Sequence, residues 1–137
     1  MVRRFQHAWV DDARAPVYLL CPPDAPSLEE VVALCAAMES FLAASKEPFG
    51  WVTDLARLHR VGAVQRRAFF EANKRWEHEL GRAVIAMGVA APRPIQRGLV
   101  TAFNWMSPPR FPLRVFGHVA DATTWVLEQV AKATPVR

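Results

Sequence analysis

Two stretches decide the fold class: Gly50-Trp51-Val52-Thr53-Asp54-Leu55 and Ala83-Val84-Ile85-Ala86-Met87-Gly88-Val89-Ala90. The first is short, β-rich and followed by a polar loop, which predicts a central strand with Asp54 at its C-terminal end. The second is almost wholly apolar, as expected of a strand buried on both faces. Helical patterns lie before, between and after them. Strands separated by helical crossovers form one sheet with parallel neighbours, so the chain reads as α/β. In such sheets ligands sit beyond the C-terminal strand ends, which makes Asp54 a candidate site residue.

Working outward, Gln6 to Val10 and Val17 to Cys21 flank the polar run Asp11-Asp12-Ala13-Arg14 and predict an opening β-hairpin. Ser27 followed by Glu30 fits a capping box for the first helix, and Pro22, Pro23 and Pro26 keep the preceding loop out of it. Leu28, Val31, Val32, Cys35, Met38 and Leu42 recur at three- and four-residue spacing and predict its buried stripe; Pro48 closes the segment. A second helix is expected from about Gly62 to Leu80. Gly81 is placed to cap it, and Val64, Ala68, Phe69, Ala72, Trp76 and Leu80 make its apolar face. Pro94 suits the first turn of a third helix, lined on one side by Ile95, Leu99, Ala102, Phe103 and Met106 and stopped by Pro108-Pro109. A strand at Leu113 to Gly117 and a helix capped by Asp121, bearing Trp125, Val126 and Val130, complete the pattern. Expected, therefore, is a single domain over 1–137: a hairpin, then a mixed, mostly parallel sheet of four or five strands with about four helices.

The formal charge of +4 conceals an asymmetry. Residues 1–54 carry four basic and eight acidic side chains, whereas residues 55–118 carry eleven basic and three acidic, ten of the eleven being Arg. Arg suits bidentate contact with carboxylate or phosphate, so the basic half predicts an acidic partner. No apolar run reaches the roughly 18 residues of a membrane span. The basic opening Met1-Val2-Arg3-Arg4-Phe5 leads into polar residues rather than the apolar core of a secretory signal. A cytoplasmic location follows, with Cys21 and Cys35 expected as reduced thiols.

Enzyme signatures were sought along the chain. The six glycines, at 50, 62, 81, 88, 98 and 117, never cluster into a phosphate-binding loop. The serines, at 27, 40, 45 and 107, form no nucleophile elbow. His7, His59, His78 and His118 lack partners at metal-ligand spacing, and Glu77-His78-Glu79 on a helix diverge by about 100° per residue, too far apart to share one ion. Asp54 and His59 remain as a thin acid–base pair. The expectation is a protein that is not an enzyme and carries no cofactor or metal.

The strand order, with Pro48-Phe49 before the central strand, Asp54 at its end, and Ala120-Asp121-Ala122 with Trp125 near the C-terminus, resembles the STAS superfamily. In particular it resembles the small stand-alone bacterial proteins similar to anti-sigma-factor antagonists (SpoIIAA-like), over about Val17 to Val130. That resemblance implies a regulatory, protein-binding module. In regulatory STAS proteins the loop after the third strand carries an acidic residue, a phosphorylated Ser or Thr, and a Gly opening the next helix. The matching stretch here is His59-Arg60-Val61-Gly62, which keeps only the Gly. No Ser, Thr or Tyr occurs between Asp54 and Thr101. A switch that adds about two negative charges has no acceptor there.

Two function classes follow. The first is an interaction module in which Asp54, Arg57, His59, Arg60, Arg66 and Arg67 meet an acidic protein partner. The second is a binding module for a small apolar molecule or lipid, with Ile95, Leu99, Phe103, Trp105 and Met106 forming a pocket under helix 94–106. Trp105 and Phe103, two residues apart, point to different sides of that helix. Nucleic acid is disfavoured, because Phe69, Phe70 and Trp76 lie at core spacing rather than in a stacking row. Homodimerisation through an edge strand or an exposed helix is compatible with either class.

Overall fold

Val10–Asp11 (β1) folds back antiparallel on Val17–Leu20 (β2), with Val10 opposite Leu20 and Asp11 opposite Leu19. The computed structural model describes residues 4–44 and 47–133, so the basic opening Met1-Val2-Arg3 lies outside the described residues. From β2 the chain alternates: Leu28–Ala44 (α1), Phe49–Asp54 (β3), Ala63–Ala83 (α2), Val84–Ala90 (β4), Pro94–Met106 (α3), Leu113–Phe116 (β5) and Val119–Ala133 (α4). The five strands lie in sequence order, and β2, β3, β4 and β5 are mutually parallel. The mixed sheet and four helices are those the sequence predicts, with β3 in the middle.

This order fixes the layers. Every step from β2 to β5 moves to the next strand in the same direction, and parallel crossovers are right-handed. The crossover helices α1, α2 and α3 therefore share one face. Strand alternation confirms it: Tyr18, Leu20, Phe49 and Trp51 pack with α1 and α2, while Val17 and Val52 pack with Ala122, Val126 and Val130 of α4. Phe5, Tyr18, Phe41, Phe49 and Trp51 form a ring cluster with centroids 4.8–6.4 Å apart, which is tilted and edge-on packing of the favourable kind. On the opposite face α4 approaches the sheet closely over Gly50 and Gly88. A Cβ on Gly50 would lie 2.6 Å from Val126 Cγ1, and one on Gly88 would lie 3.0 Å from the Ala122 carbonyl oxygen. A register shift between Phe49 and Gly50 along the β3–β4 pairing brings Val84 and Met87 onto the α1/α2 face.

The capping box forms as expected: Glu30 N–H donates to Ser27 Oγ at 3.1 Å and Ser27 N–H donates to Glu30 Oε1 at 2.9 Å. Five expectations need correction. The opening strand, expected at Gln6 to Val10 with Asp11 in the turn, is Val10–Asp11. The buried stripe of α1 is Val31, Leu34, Cys35, Met38, Phe41 and Leu42, while Leu28 and Val32 are exposed. Both candidate stripes have helical spacing, and the angle at which α1 crosses the sheet selects between them. Val64 of α2 is likewise exposed. Gly81 is not a cap: α2 continues to Ala83 and passes directly into β4, with Val84 N–H bonding the Leu80 carbonyl and no glycine at positive φ. Finally, α4 begins two residues before Asp121, which sits inside its first turn as a carboxylate near the positive helix end.

Candidate functional site

The loop after β3 is built from backbone carbonyls that α3 holds in place. Asp54, half-buried at the end of β3, accepts a hydrogen bond from Ala56 N–H at 3.0 Å and so turns the chain locally. Leu55 N–H bonds the Ala90 carbonyl, which extends the pairing to β4 by one residue. Gln96, fully buried on α3, donates from Nε2 to the Leu55 carbonyl at 2.6 Å and to the Leu58 carbonyl at 2.9 Å. Its Oε1 accepts from Arg93 N–H at 3.0 Å. The Arg93 guanidinium adds bonds to the Ala56 and Leu58 carbonyls at 2.8 and 3.3 Å. On the other side, the Asp24 carbonyl accepts from His59 N–H and Arg60 N–H, and His59 Nδ1 lies 2.8 Å from Asp24 Oδ1.

These partners separate the residues that the sequence grouped. Asp54 turns its own loop and His59 is held to Asp24 and to the Arg57 carbonyl, so the two do not face one another as acid and base. Arg57 and Arg60 are exposed on the loop, and Arg66 and Arg67 are exposed on the first turns of α2. Arg66 donates to the Val61 carbonyl at 2.6 Å. Among the described residues none of these four arginines forms an ion pair, whereas Arg75 pairs with Glu39, and Lys74 and Arg110 pair with Glu77. Also among the described residues, no group of three His, Cys, Asp or Glu side chains could hold a metal ion. No helix among them is long and apolar enough to cross a membrane.

Beneath α3 lies a cavity of about 680 Å³. Phe49, Trp51 and Thr53 of β3 and Met87 and Val89 of β4 form its floor, the odd-numbered positions that strand alternation turns towards the crossover helices. Leu34 and Met38 of α1 and Phe69 and Trp76 of α2 wall one side, and Leu99, Val100 and Phe103 of α3 wall the other. α3 is fastened at both ends and packs in its middle through Val100 on Leu55, Leu58 and Val89. Gln96 and Arg93 fasten its N-terminal end to the 55–58 loop. Near its C-terminal end Phe103 packs against Phe69 and Phe70, with centroids 5.5 and 6.0 Å apart, and Asn73 Nδ2 donates to Ser107 Oγ at 3.1 Å. Of the five residues expected to form a pocket here, Leu99, Phe103 and Met106 line it. Ile95 and Trp105 do not: they are 63% and 84% exposed and face away from the cavity.

The architecture has solved counterparts. An uncharacterised DUF3478-family protein with a SpoIIAA-like fold from Shewanella loihica PV-4 superposes with a TM-score of 0.60 at 15% identity, covering 85% of this chain and 90% of the other. An anti-sigma factor antagonist from Mycobacterium paratuberculosis superposes with a TM-score of 0.52 at 18% identity, covering 86% and 91%. The chain has a STAS-like, SpoIIAA-like fold. No protein-family model and no curated protein matches it.

Within this SpoIIAA-like fold, Gln96 is the functional-site residue that sequence reasoning missed. The signal was present: positions 96, 99, 100 and 103 form an i, i+3, i+4, i+7 set in which Gln96 is the only polar member. A polar residue on a buried stripe must be hydrogen-bonded, and the nearest unpaired groups are loop carbonyls. The cavity itself had no sequence signal, since a void is a property of how elements meet. Both cysteines are free thiols. Burial pushes each thiol pKa up, and for Cys21 the neighbouring Asp54 carboxylate adds to the effect, so neither has the character of a nucleophile.

Proposed function

We propose that this chain is a non-enzymatic, cytoplasmic, single-domain binding module that takes a small apolar molecule or an acyl chain into the cavity under α3. The observation that carries the reading is that cavity. At about 680 Å³ it falls within the roughly 300–1,000 Å³ of small-molecule sites. Its lining is mostly aliphatic and aromatic, with Thr53, Gln65, Asn73 and Ser107 among its neutral polar groups and Arg66, Arg67, Glu71, Glu77 and Arg110 adding charge, a lining suited to binding through apolar burial with polar groups to orient the ligand. Asp54 and His59 having separate partners favours binding over acid–base chemistry. Native mass spectrometry of the gently purified chain, followed by titration with the fluorescent fatty acid parinaric acid, tests this. Saturable binding at one site is expected, with loss in Leu99→Trp, which fills the cavity from its α3 wall. Absence of both an adduct and titratable binding, or equal binding by Leu99→Trp, overturns the reading.

A second reading keeps the regulatory character of the fold class. Arg57, Arg60, Arg66 and Arg67, unpaired by any carboxylate among the described residues, offer a docking surface to an acidic protein partner. With no hydroxyl residue between Asp54 and Thr101, such docking is not switched by phosphorylation of this loop. Partner capture should weaken with salt and fail for Arg60→Glu with Arg67→Glu; indifference to both removes this reading.

A further inference from the structure

The charges that line the cavity are not evenly satisfied. Arg66, Phe70, Asn73 and Glu77 stand at i, i+4, i+7 and i+11 along α2, so they share one side of that helix within about 60°. Three contacts turn that side towards α3 and the chain just after it. Phe70 packs on Phe103, Asn73 Nδ2 donates to Ser107 Oγ, and Arg110 Nη2 donates to Glu77 Oε1 at 2.9 Å. The two chain segments therefore run side by side in the same direction. Continued one turn back, this pairing sets Arg66 across from Leu99, and both line the cavity at its loop end.

The two ends of this row differ in charge. At the far end Glu77 is closed off by Arg110 and by Lys74, 3.7 Å away. At the loop end Arg66 Nη1 donates to the Val61 carbonyl at 2.6 Å, and among the described residues no carboxylate pairs with it. The other charged lining groups, Arg67 and Glu71, are i,i+4 neighbours on the outer side of α2. Glu71 lies at least about 100° round the helix from every member of the row, so it does not oppose Arg66. Helix α3 brings no charge to the cavity: Arg97, its one charged residue, bonds the Ala91 and Pro92 carbonyls outside the lining. With three arginines and two glutamates, the lining keeps one net positive charge, and Arg66 is where it is left open.

We propose that the ligand of this cavity is a long-chain carboxylate, its head paired with Arg66 and its tail running beneath α3. The proposal rests on the binding reading above and adds to it the charge and direction of the ligand. One guanidinium forks onto one carboxylate, and a single net positive charge matches a monoanion better than a phosphate dianion. At about 1.5 Å per residue the row from Arg66 to Glu77 extends roughly 16 Å, which suits an extended chain. Between those ends Trp51 and Met87 below and Phe103 beside offer the chain apolar contact. The opposite direction would set the carboxylate against Glu77.

Titration of the full chain at neutral pH with parinaric acid, and with its uncharged methyl ester, tests the proposal. The parent should bind the acid about tenfold more tightly than the ester, the low end for a hydrogen bond between charged groups. Arg66→Gln should weaken the acid by about the same factor and leave the ester unchanged, so that the two probes converge. Arg66 is exposed, so this variant should keep the parent thermal midpoint. Lys132→Gln, on α4 at the opposite face of the sheet, removes the same charge from the chain and should leave both affinities as they were. Equal affinity for acid and ester in the parent, or an undiminished affinity of Arg66→Gln for the acid, overturns the proposal while the cavity reading stands. So does a loss of acid binding in Lys132→Gln equal to that in Arg66→Gln, which makes the effect one of net charge. Binding of neither probe removes the cavity reading and this proposal with it.

Discussion

Replacing Gln96 by Met tests whether α3 and the β3 loop are held as one unit. Methionine matches the length of the side chain but can neither donate nor accept at the end. The substitution removes donation to the Leu55 and Leu58 carbonyls at 2.6 and 2.9 Å and acceptance from Arg93 N–H at 3.0 Å. The losses are unequal. The Leu55 carbonyl keeps Leu58 N–H at 3.0 Å, and the Leu58 carbonyl keeps a longer bond from Arg93 at 3.3 Å. Arg93 N–H loses the one partner the described structure gives it. Three bonds at about 1 kcal/mol net each, with partial replacement at two of them and a modest gain from apolar burial, give a loss of about 2–3 kcal/mol. For a domain whose whole stability is on the order of 5–15 kcal/mol that is a large share. Urea unfolding at neutral pH measures it as a fall in midpoint at unchanged slope, and amide exchange should accelerate at residues 55–58 and in the first turn of α3.

Gln96→Glu sharpens the test, because a carboxylate at this position faces two carbonyls with nothing to donate. Burial and those carbonyls both disfavour its charged form, so the folded-state pKa is raised. The variant should be less stable than Gln96→Met at neutral pH and recover as pH falls through that raised pKa, when the acid proton restores one donor. A loss below about 0.5 kcal/mol for Gln96→Met, or parental stability for Gln96→Glu at neutral pH, would refute the reasoning, since surface substitutions stay within that margin.

Two further outcomes are expected. Gly50→Ala places a Cβ 2.6 Å from Val126 Cγ1 and 2.8 Å from Val130 Cγ2, forcing α4 outward or off-rotamer at a cost of about 1–3 kcal/mol; thermal melting checks this, and an unchanged midpoint would mean that α4 does not sit so close. The parent should lose stability on acidification. Burial lowers the pKa of His7, hydrogen bonds from Phe5 N–H and then Arg4 lower that of Asp12, and those from Arg75 and then Trp76 lower that of Glu39. For each group the unfolded chain binds more protons than the folded one as pH falls, so the imidazole contribution fades from about pH 6.5 downward and the carboxylate contributions below about pH 4; a thermal midpoint flat between pH 7 and pH 3 contradicts this.

What could be read from the chain, and what could not, divides along the range of the interactions. Ser27 with Glu30 and Pro94 act within one turn of helix, so local chemistry sets them wherever the helix packs. Gly81 shows the limit of the local rule. A glycine after a helical run caps only when the chain must turn, and here α2 enters β4 without turning. For α1, Val31, Leu34, Cys35, Met38, Phe41 and Leu42 became the core because its crossing over the β2–β3 pair favours that side, information held in the sheet rather than in the helix. Gly50 and Gly88 read in sequence as weak points in strands, yet they set how near α4 comes. Of the arginine site, the sequence located the charges but not their partners. Arg75 is spent on Glu39, while Arg57, Arg60, Arg66 and Arg67 are left without ion pairs among the described residues.

The cavity and the exposure of Ile95 and Trp105 share one cause in topology. Strands in monotonic order, joined by right-handed crossovers, put three helices on one face of a sheet whose last strand has four residues. α1 and α2 pack on each other over the long middle strands and complete the aromatic core. α3 arrives third, above the short β5, where Leu113 and Phe116 are half-buried and Arg114 and Val115 are exposed. It finds too little sheet to bury a full face. Its inner face is then secured by the buried Gln96 amide, by Val100 against Leu55, Leu58 and Val89, and by Phe103 against Phe69 and Phe70, with the cavity beside them, while Ile95 and Trp105 stay uncovered. A longer β5 would close the gap and make Ile95 and Trp105 superfluous. The short β5 thus leaves α3 with one apolar face towards the cavity and with Ile95 and Trp105 towards solvent.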